Sequence, residues 1–262
     1  MIDPSLLELL PPLRRARGDR LYGADEKHWV DLWKQDGAWL LGHRPDGAAK
    51  EWKIQLDKGL TGWAPSLWPR RLEQLVPRLL PGTQAVRVFR NPERAAAVVG
   101  GEAALRAMRW RPWDDGPVPH GPVLWPVLPT GPSQAVALVF FGPEVSPPQH
   151  DVLSPADAAG LVQAVAQVLR FTADPASQSA RAQAGRQFDR HLGASGTFRR
   201  SGIWFEATVP PGRYASLFEA HLRAGFLLNP DAEAPSILPW TLSPGEWARW
   251  KATVDEWTKE GR

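Results

Sequence analysis

The sequence predicts an α/β domain, with α+β as the alternative class. Segments whose apolar residues recur at helical spacing alternate with short apolar runs of strand length, both kinds occur from end to end, and no internal repeat divides the chain.

In chain order, residues 66–80 read as a helix because Leu72, Leu75, Val76, Leu79 and Leu80 fall at i, i+3, i+4, i+7 and i+8. Ser66 is the expected cap, Pro69 suits the first turn, Pro77 should kink the helix, and Pro81-Gly82 stops it. Residues 85–89 follow as a short buried strand and 93–108 as a second helix, which Gly100-Gly101 should kink or break. Proline and glycine then recur from 111 to 132, an irregular connection in which Val123-Leu124-Trp125 is extended. The apolar run 134–141 suits a central strand covered on both faces. Ser154-Pro155-Ala156-Asp157 is a capped helix start, followed by the stripe Ala158, Leu161, Val162, Val165 and Leu169. The same signature returns at Ser243-Pro244-Gly245-Glu246, ahead of Trp247, Trp250, Val254 and Trp257. Between them fall a polar helix near 175–192, a strand near 202–209 and a helix over 212–224 ending at Gly225.

Composition narrows the function classes. The 262 residues, 43% hydrophobic and 23% charged, are enough to bury a core in one large domain or two small ones. The chain has no cysteine, which removes disulfides, thiolate metal sites and cysteine nucleophiles together. Neither a signal-like N-terminus nor an apolar run of about 18 residues is present, so the expected location is cytoplasmic, away from membranes. The net charge is +3 and the pI near 9.4, yet basic residues form no cluster, and nucleic acid is not the expected partner. Nine of the 14 tryptophans lie between 29 and 125 and five between 204 and 257, a spacing that suggests two tryptophan-rich layers.

Several segments share order and spacing with one family. They are Trp29-Val30-Asp31-Leu32, Trp39-Leu40-Leu41-Gly42-His43, Lys58-Gly59-Leu60 with Ala64-Pro65-Ser66, Leu79-Leu80-Pro81-Gly82 and Val86-Arg87-Val88-Phe89. In that order they resemble the N-terminal part of a class III pyridoxal-phosphate (PLP) aminotransferase of the glutamate-1-semialdehyde aminomutase-like branch. The resemblance implies that residues 39–43 form an opening strand and that the strand ending at Phe89 leads to the cofactor phosphate. Tyr214-Ala215-Ser216-Leu217-Phe218, Ala224-Gly225-Phe226-Leu227-Leu228 and Ala234-Pro235-Ser236-Ile237-Leu238 resemble the family's small domain. The implied organisation is an N-terminal segment, 1–44, packing with the C-terminal domain, a reduced PLP-transferase-like large domain with a mixed sheet at 45–170, and an aminotransferase-like small domain at 171–262.

The departures from the family carry the functional expectation. Its chemistry needs a lysine amine in the large domain. The seven lysines here are Lys27, Lys34, Lys50, Lys53, Lys58, Lys251 and Lys259, which leaves none between residues 59 and 250. The family's phosphate turn uses backbone N–H groups at a helix start. Here that turn reads Arg90-Asn91-Pro92-Glu93-Arg94-Ala95, in which Pro92 lacks a donor and Glu93 adds negative charge. Much of the family's central section has no counterpart, Pro119 stands where its stacking aromatic precedes a His-Gly pair (here His120-Gly121), and Asp114-Asp115 lies in the proline-rich connection. PLP is therefore expected from the family but its lysine and phosphate motif are absent, and no catalytic, cofactor-binding or metal residue is assigned.

The six histidines have no metal-ligand spacing, and His150-Asp151 and Asp189 with His191 read as surface pairs. The expected function is a catalytically inactive aminotransferase-like protein acting by binding, as a homodimer or as a heterodimer with an intact aminotransferase paralogue. The alternative is a binding protein for anionic metabolites, or a PLP-independent enzyme, with Arg87, Arg90 or Arg94 receiving the anion.

Overall fold

A computed structural model describes residues 3–43, 47–62, 64–116, 123–125, 136–141, 149 and 151–260. From the N-terminus the elements are α1 (Pro4–Leu7), β1 (Leu13–Arg17), β2 (Arg20–Gly23), β3 (His28–Asp31), α2 (Ala48–Asp57) and α3 (Trp68–Leu79). There follow β4 (Thr83–Phe89), α4 (Pro92–Val99), α5 (Glu102–Ala107), β5 (Val123–Trp125) and β6 (Val136–Phe141). The remainder comprises α6 (Pro155–Ala173), α7 (Pro175–Leu192), β7 (Phe198–Ser201), β8 (Trp204–Ala207), α8 (Pro211–Arg223), β9 (Phe226–Leu227), β10 (Ser236–Ile237) and α9 (Pro244–Glu260). The chain divides into two compact units, the first made of residues 1–43, 113–116 and 174–262, the second of 44–112 and 117–173.

In the first unit, β1, β2 and β3 form an antiparallel meander, and β9 joins β3 in parallel with Val30 opposite Phe226. A second sheet runs β10-β8-β7. Period-2 alternation reads poorly in these strands because they are two to five residues long. Their packing is clearer: the fully buried Trp250 of α9 stacks on Phe226 (5.4 Å between centroids) and Trp247 (5.5 Å), with Phe188 edge-on at 5.8 Å and Phe205 at 5.4 Å. Such rings bury large apolar areas and add about 0.5–1.5 kcal/mol per well-placed pair. The α9 start forms the full reciprocal capping box, since Glu246 N–H donates to Ser243 Oγ (3.3 Å) and Ser243 N–H to Glu246 Oε2 (2.7 Å).

The second unit contains the sheet β4-β6-β5, with β6 in the middle and antiparallel to both neighbours. One cluster on it joins Phe89, Leu138 and Phe140 to Ala95, Ala96 and Leu105 of α4 and α5. Along α6 nearly every residue from Pro155 to Val168 is buried, which agrees with its low polarity, and Ser154 Oγ accepts the Asp157 N–H at 3.1 Å.

Three expectations need correction, and two others hold in finer form. Ser66 does not cap α3, which starts at Trp68 with Leu67 as an N-cap lacking a side-chain bond. The break expected at Gly100-Gly101 is present and divides the stretch into two helices, because Gly100 (φ +93°) and Gly101 (φ +114°) take left-handed conformations that an α-helix does not continue through. The strand expected near 202–209 is present as β8 and forms a hairpin with β7, turned by Gly202 and Ile203. Residues 39–43 do not form an opening strand. Ahead of them a tight turn at Lys34–Gly37 carries Lys34, Gln35 and Asp36 at φ +47°, +45° and +56°, so no ladder continues, and only His43 pairs, with Gly18, through a single bridge. Nor do the tryptophans form two layers set by sequence. Trp29, Trp33, Trp39 and Trp113 join the five C-terminal ones in the first unit, and no tryptophan is exposed among the side chains described.

Candidate functional site

The turn that links β4 to α4 is where the sequence places an anion. Asn91 caps α4, its side chain accepting the Glu93 N–H at 2.7 Å, and Pro92 at the first helical position has no N–H to offer. The donors that remain meet a residue from elsewhere in the chain. Asp151 Oδ2 accepts the Arg90 N–H at 2.9 Å, Oδ1 accepts from the Arg94 guanidinium, and the Asp151 N–H donates to Val88 O at 2.9 Å. The three arginines singled out from the sequence all face carboxylates: Arg94 pairs with Asp151, Arg90 lies 3.8 Å from Asp157, and Arg87 lies 3.9 Å from Glu73. Asp151 is thus a partner of this turn; His150 and His120 lie outside the described residues.

The residues of this turn do not fit a PLP phosphate. An incoming phosphate would sit beside the Asp151 carboxylate, and two like unit charges about 4 Å apart repel by about 4 kcal/mol at an effective dielectric of about 20. The turn already holds its anion.

Among the seven lysines only Lys34, in the first unit, is buried, and composition gave no reason to single it out. Its Nζ donates to Asp19 Oδ1 at 2.5 Å and to Leu40 O at 3.3 Å, and lies 5.5 Å from the Trp240 ring centroid. Thr241 donates to the other Asp19 oxygen at 2.5 Å. Burial alone would push the Asp19 carboxyl up; the Lys34 charge and the bonds from Lys34 and Thr241 outweigh it and hold the group below the usual carboxylate range. Lys34 is therefore an ion-paired ammonium.

The other polar groups weighed from sequence are likewise engaged. His43 Nε2 meets Asp31 Oδ2 at 2.7 Å, while Asp31 Oδ1 accepts the N–H groups of Trp33 and Lys34. Asp189 and His191 are not a pair: Asp189 binds Arg200, and His191 stacks on Trp247 at 5.8 Å. Asp114 accepts from the Ser201 hydroxyl and Asp115 from the Gly202 N–H at 2.8 Å, so both clamp the β7–β8 turn. No cluster of three or more metal-ligating side chains exists among the described residues.

A cavity of about 680 Å³ opens in the first unit, beside the N-terminal ends of the parallel pair β3 and β9. Trp29, Leu222, Leu9, Pro11 and Ala224 supply its apolar wall, and Asp25, Lys27, Glu219, Arg223 and Arg249 its charged groups. The sequence reading missed it, because its lining comes from three stretches more than a hundred residues apart at the extremes.

Solved structures settle the architecture. Ornithine aminotransferase from Plasmodium yoelii superposes with a TM-score of 0.66 at 14% identity, covering 95% of this chain and 94% of that one. Acetylornithine aminotransferase from Elizabethkingia anophelis gives 0.65 at 13% identity, over 95% and 93%. The fold is that of the class III aminotransferases. At this identity the likeness concerns the fold alone. No family model matches the chain. In sequence, the chain is 28% identical over 97 residues to glutamate-1-semialdehyde 2,1-aminomutase of Ruminiclostridium cellulolyticum, a match to 37% of this chain and 20% of that enzyme. An uncharacterized protein of Treponema pallidum is 27% identical over 276 residues, 87% of this chain and 88% of that one. No helix among the described residues is long and apolar enough to cross a membrane.

Proposed function

We propose that the chain uses the aminotransferase fold without Schiff-base chemistry and acts by binding, through association with a second copy of itself or with an intact aminotransferase relative, in the cytoplasm. The observation that carries this reading is the Asp151 carboxylate in the β4–α4 turn, bound by the Arg90 N–H and the Arg94 guanidinium. A turn whose Arg90 N–H and Arg94 guanidinium already bind a carboxylate disfavours a phosphate at the same place. The absence of lysine between residues 59 and 250 supports it from a second direction, since no amine is supplied by the region that bears it in the family. Anion capture by Arg87, Arg90 or Arg94 gains no support, because each faces a carboxylate.

The test is a PLP titration followed by absorbance, with and without borohydride, on protein whose mass is measured by light scattering. A flat spectrum together with a dimeric mass, or with stable capture of a purified class III aminotransferase, is the expected result. A visible band that borohydride fixes covalently to a lysine would overturn the proposal.

A further inference from the structure

We infer that the cavity beside β3 and β9 binds a small monocarboxylate with an apolar body, Arg249 receiving the carboxylate and the Trp29–Leu222 wall the body. This goes beyond the proposed function and holds whether or not the protein associates with another chain.

The volume, about 680 Å³, falls within the roughly 300–1,000 Å³ of small-molecule sites. Its charges decide the class of ligand. Lys27 pairs with Asp25 at 3.3 Å and Arg223 with Glu219 at 2.7 Å. Those two pairs cancel, which leaves Arg249 as the surplus positive charge of the lining, with no carboxylate partner among the described residues. Its guanidinium carbon lies 5.3 Å from the ring centroid of the fully buried Phe226, a stacked position that holds the planar group. A guanidinium so placed can bind a carboxylate through two parallel N–H groups. One surplus charge matches a monoanion; a dianion would bring uncompensated negative charge close to Asp25 and Glu219. The wall selects the rest of the molecule. The Trp29 indole N–H is already donated to Leu222 O at 2.9 Å, so the ring offers apolar surface, and Leu222, Pro11 and Ala224 extend it.

The experiment titrates phenylacetate, hexanoate and the neutral phenylacetamide into isotopically labelled protein. The readout is the Trp29 indole N–H resonance, assigned with Trp29→Phe. A saturable shift is expected with at least one of the acids, with phenylacetamide binding roughly 10- to 100-fold more weakly, the value of a charged hydrogen bond. Arg249→Met should weaken the acid by the same factor and leave the amide unchanged; Arg249 is exposed, so the variant is expected to fold. Equal affinity for phenylacetate and phenylacetamide in the unmodified protein, equal affinity of Arg249→Met for the acid, or no saturable shift with either acid would each overturn the inference. The acid–amide comparison needs no variant, and none of these readouts depends on the PLP spectrum, so this inference and the proposed function fail separately.

Discussion

Stability should fall with acidity in a window set by one histidine. His221 on α8 is fully buried, donates from Nδ1 to Leu217 O at 2.7 Å, and packs edge-on against Phe198 at 5.6 Å. Among the described residues its Nε2 has no hydrogen-bond partner, which a neutral ring tolerates and a protonated one does not. Burial lowers the pKa from 6.5 to about 4, the Leu217 bond opposing it only in part. As pH falls below 6.5, the unfolded chain takes up a proton at this position and the folded chain does not until about pH 4. The unfolded state binds more protons throughout that window, so stability declines across it and levels off below. A difference of about 2.5 units corresponds to roughly 3 kcal/mol. The assay is urea unfolding at stepped pH between neutrality and about pH 4, followed at the Trp250 indole resonance so that the first unit is read alone. Wild type and His221→Leu share every other titrating group, so their difference isolates this one. If both lose stability in parallel, the reasoning is refuted.

Breaking the buried ion pair should be costly in one form and cheap in another. Lys34→Ala leaves Asp19 charged and buried and should cost about 3–5 kcal/mol, whereas Asp19→Leu combined with Lys34→Met should come close to wild type; a double-mutant cycle by chemical unfolding measures both. Gly202→Ala should destabilise by about 3 kcal/mol or more in thermal unfolding, because Gly202 has φ +58° and a Cβ there would stand 1.8 Å from the Trp113 carbonyl oxygen. Asp151→Ala should release the Arg90 N–H and the Arg94 guanidinium. Inorganic phosphate should then raise the Tm of the variant and leave that of wild type unchanged; equal shifts would show that Asp151 does not occupy the anion position.

What could be read from the sequence followed length and capping. Helices α6, α7, α8 and α9 are long enough for period and caps to add up, and Ser154, Asp174 and Ser243 bond their first turns as such residues do. The N-terminal meander was not legible. Its strands hold four or five residues, and β1 is exposed along almost its whole length, so no apolar alternation marks it. Helix α2 was missed as well, since it starts after Gly47 with no side-chain cap and no start signal marks it. The β4–α4 turn was half legible: Pro92 and Glu93 spoke against a phosphate, but Asp151 lies about sixty residues away, and only the fold brings it to Arg90 and Arg94.

The Asp151 contact also bears on how the β4–α4 turn is held together. A β-strand that ends at a helix start leaves N–H groups pointing at one spot, to be satisfied by side chains, water or a ligand. A carboxylate supplied by the chain satisfies them at any ligand concentration. The contribution of a bound phosphate, by contrast, depends on its concentration relative to its Kd. The first unit has its own sources of order, in the rings around Trp250, the Asp19–Lys34 pair and the bidentate Arg20–Glu246 contact. These contacts are all made within the chain, and a shared architecture leaves the chemistry free to differ.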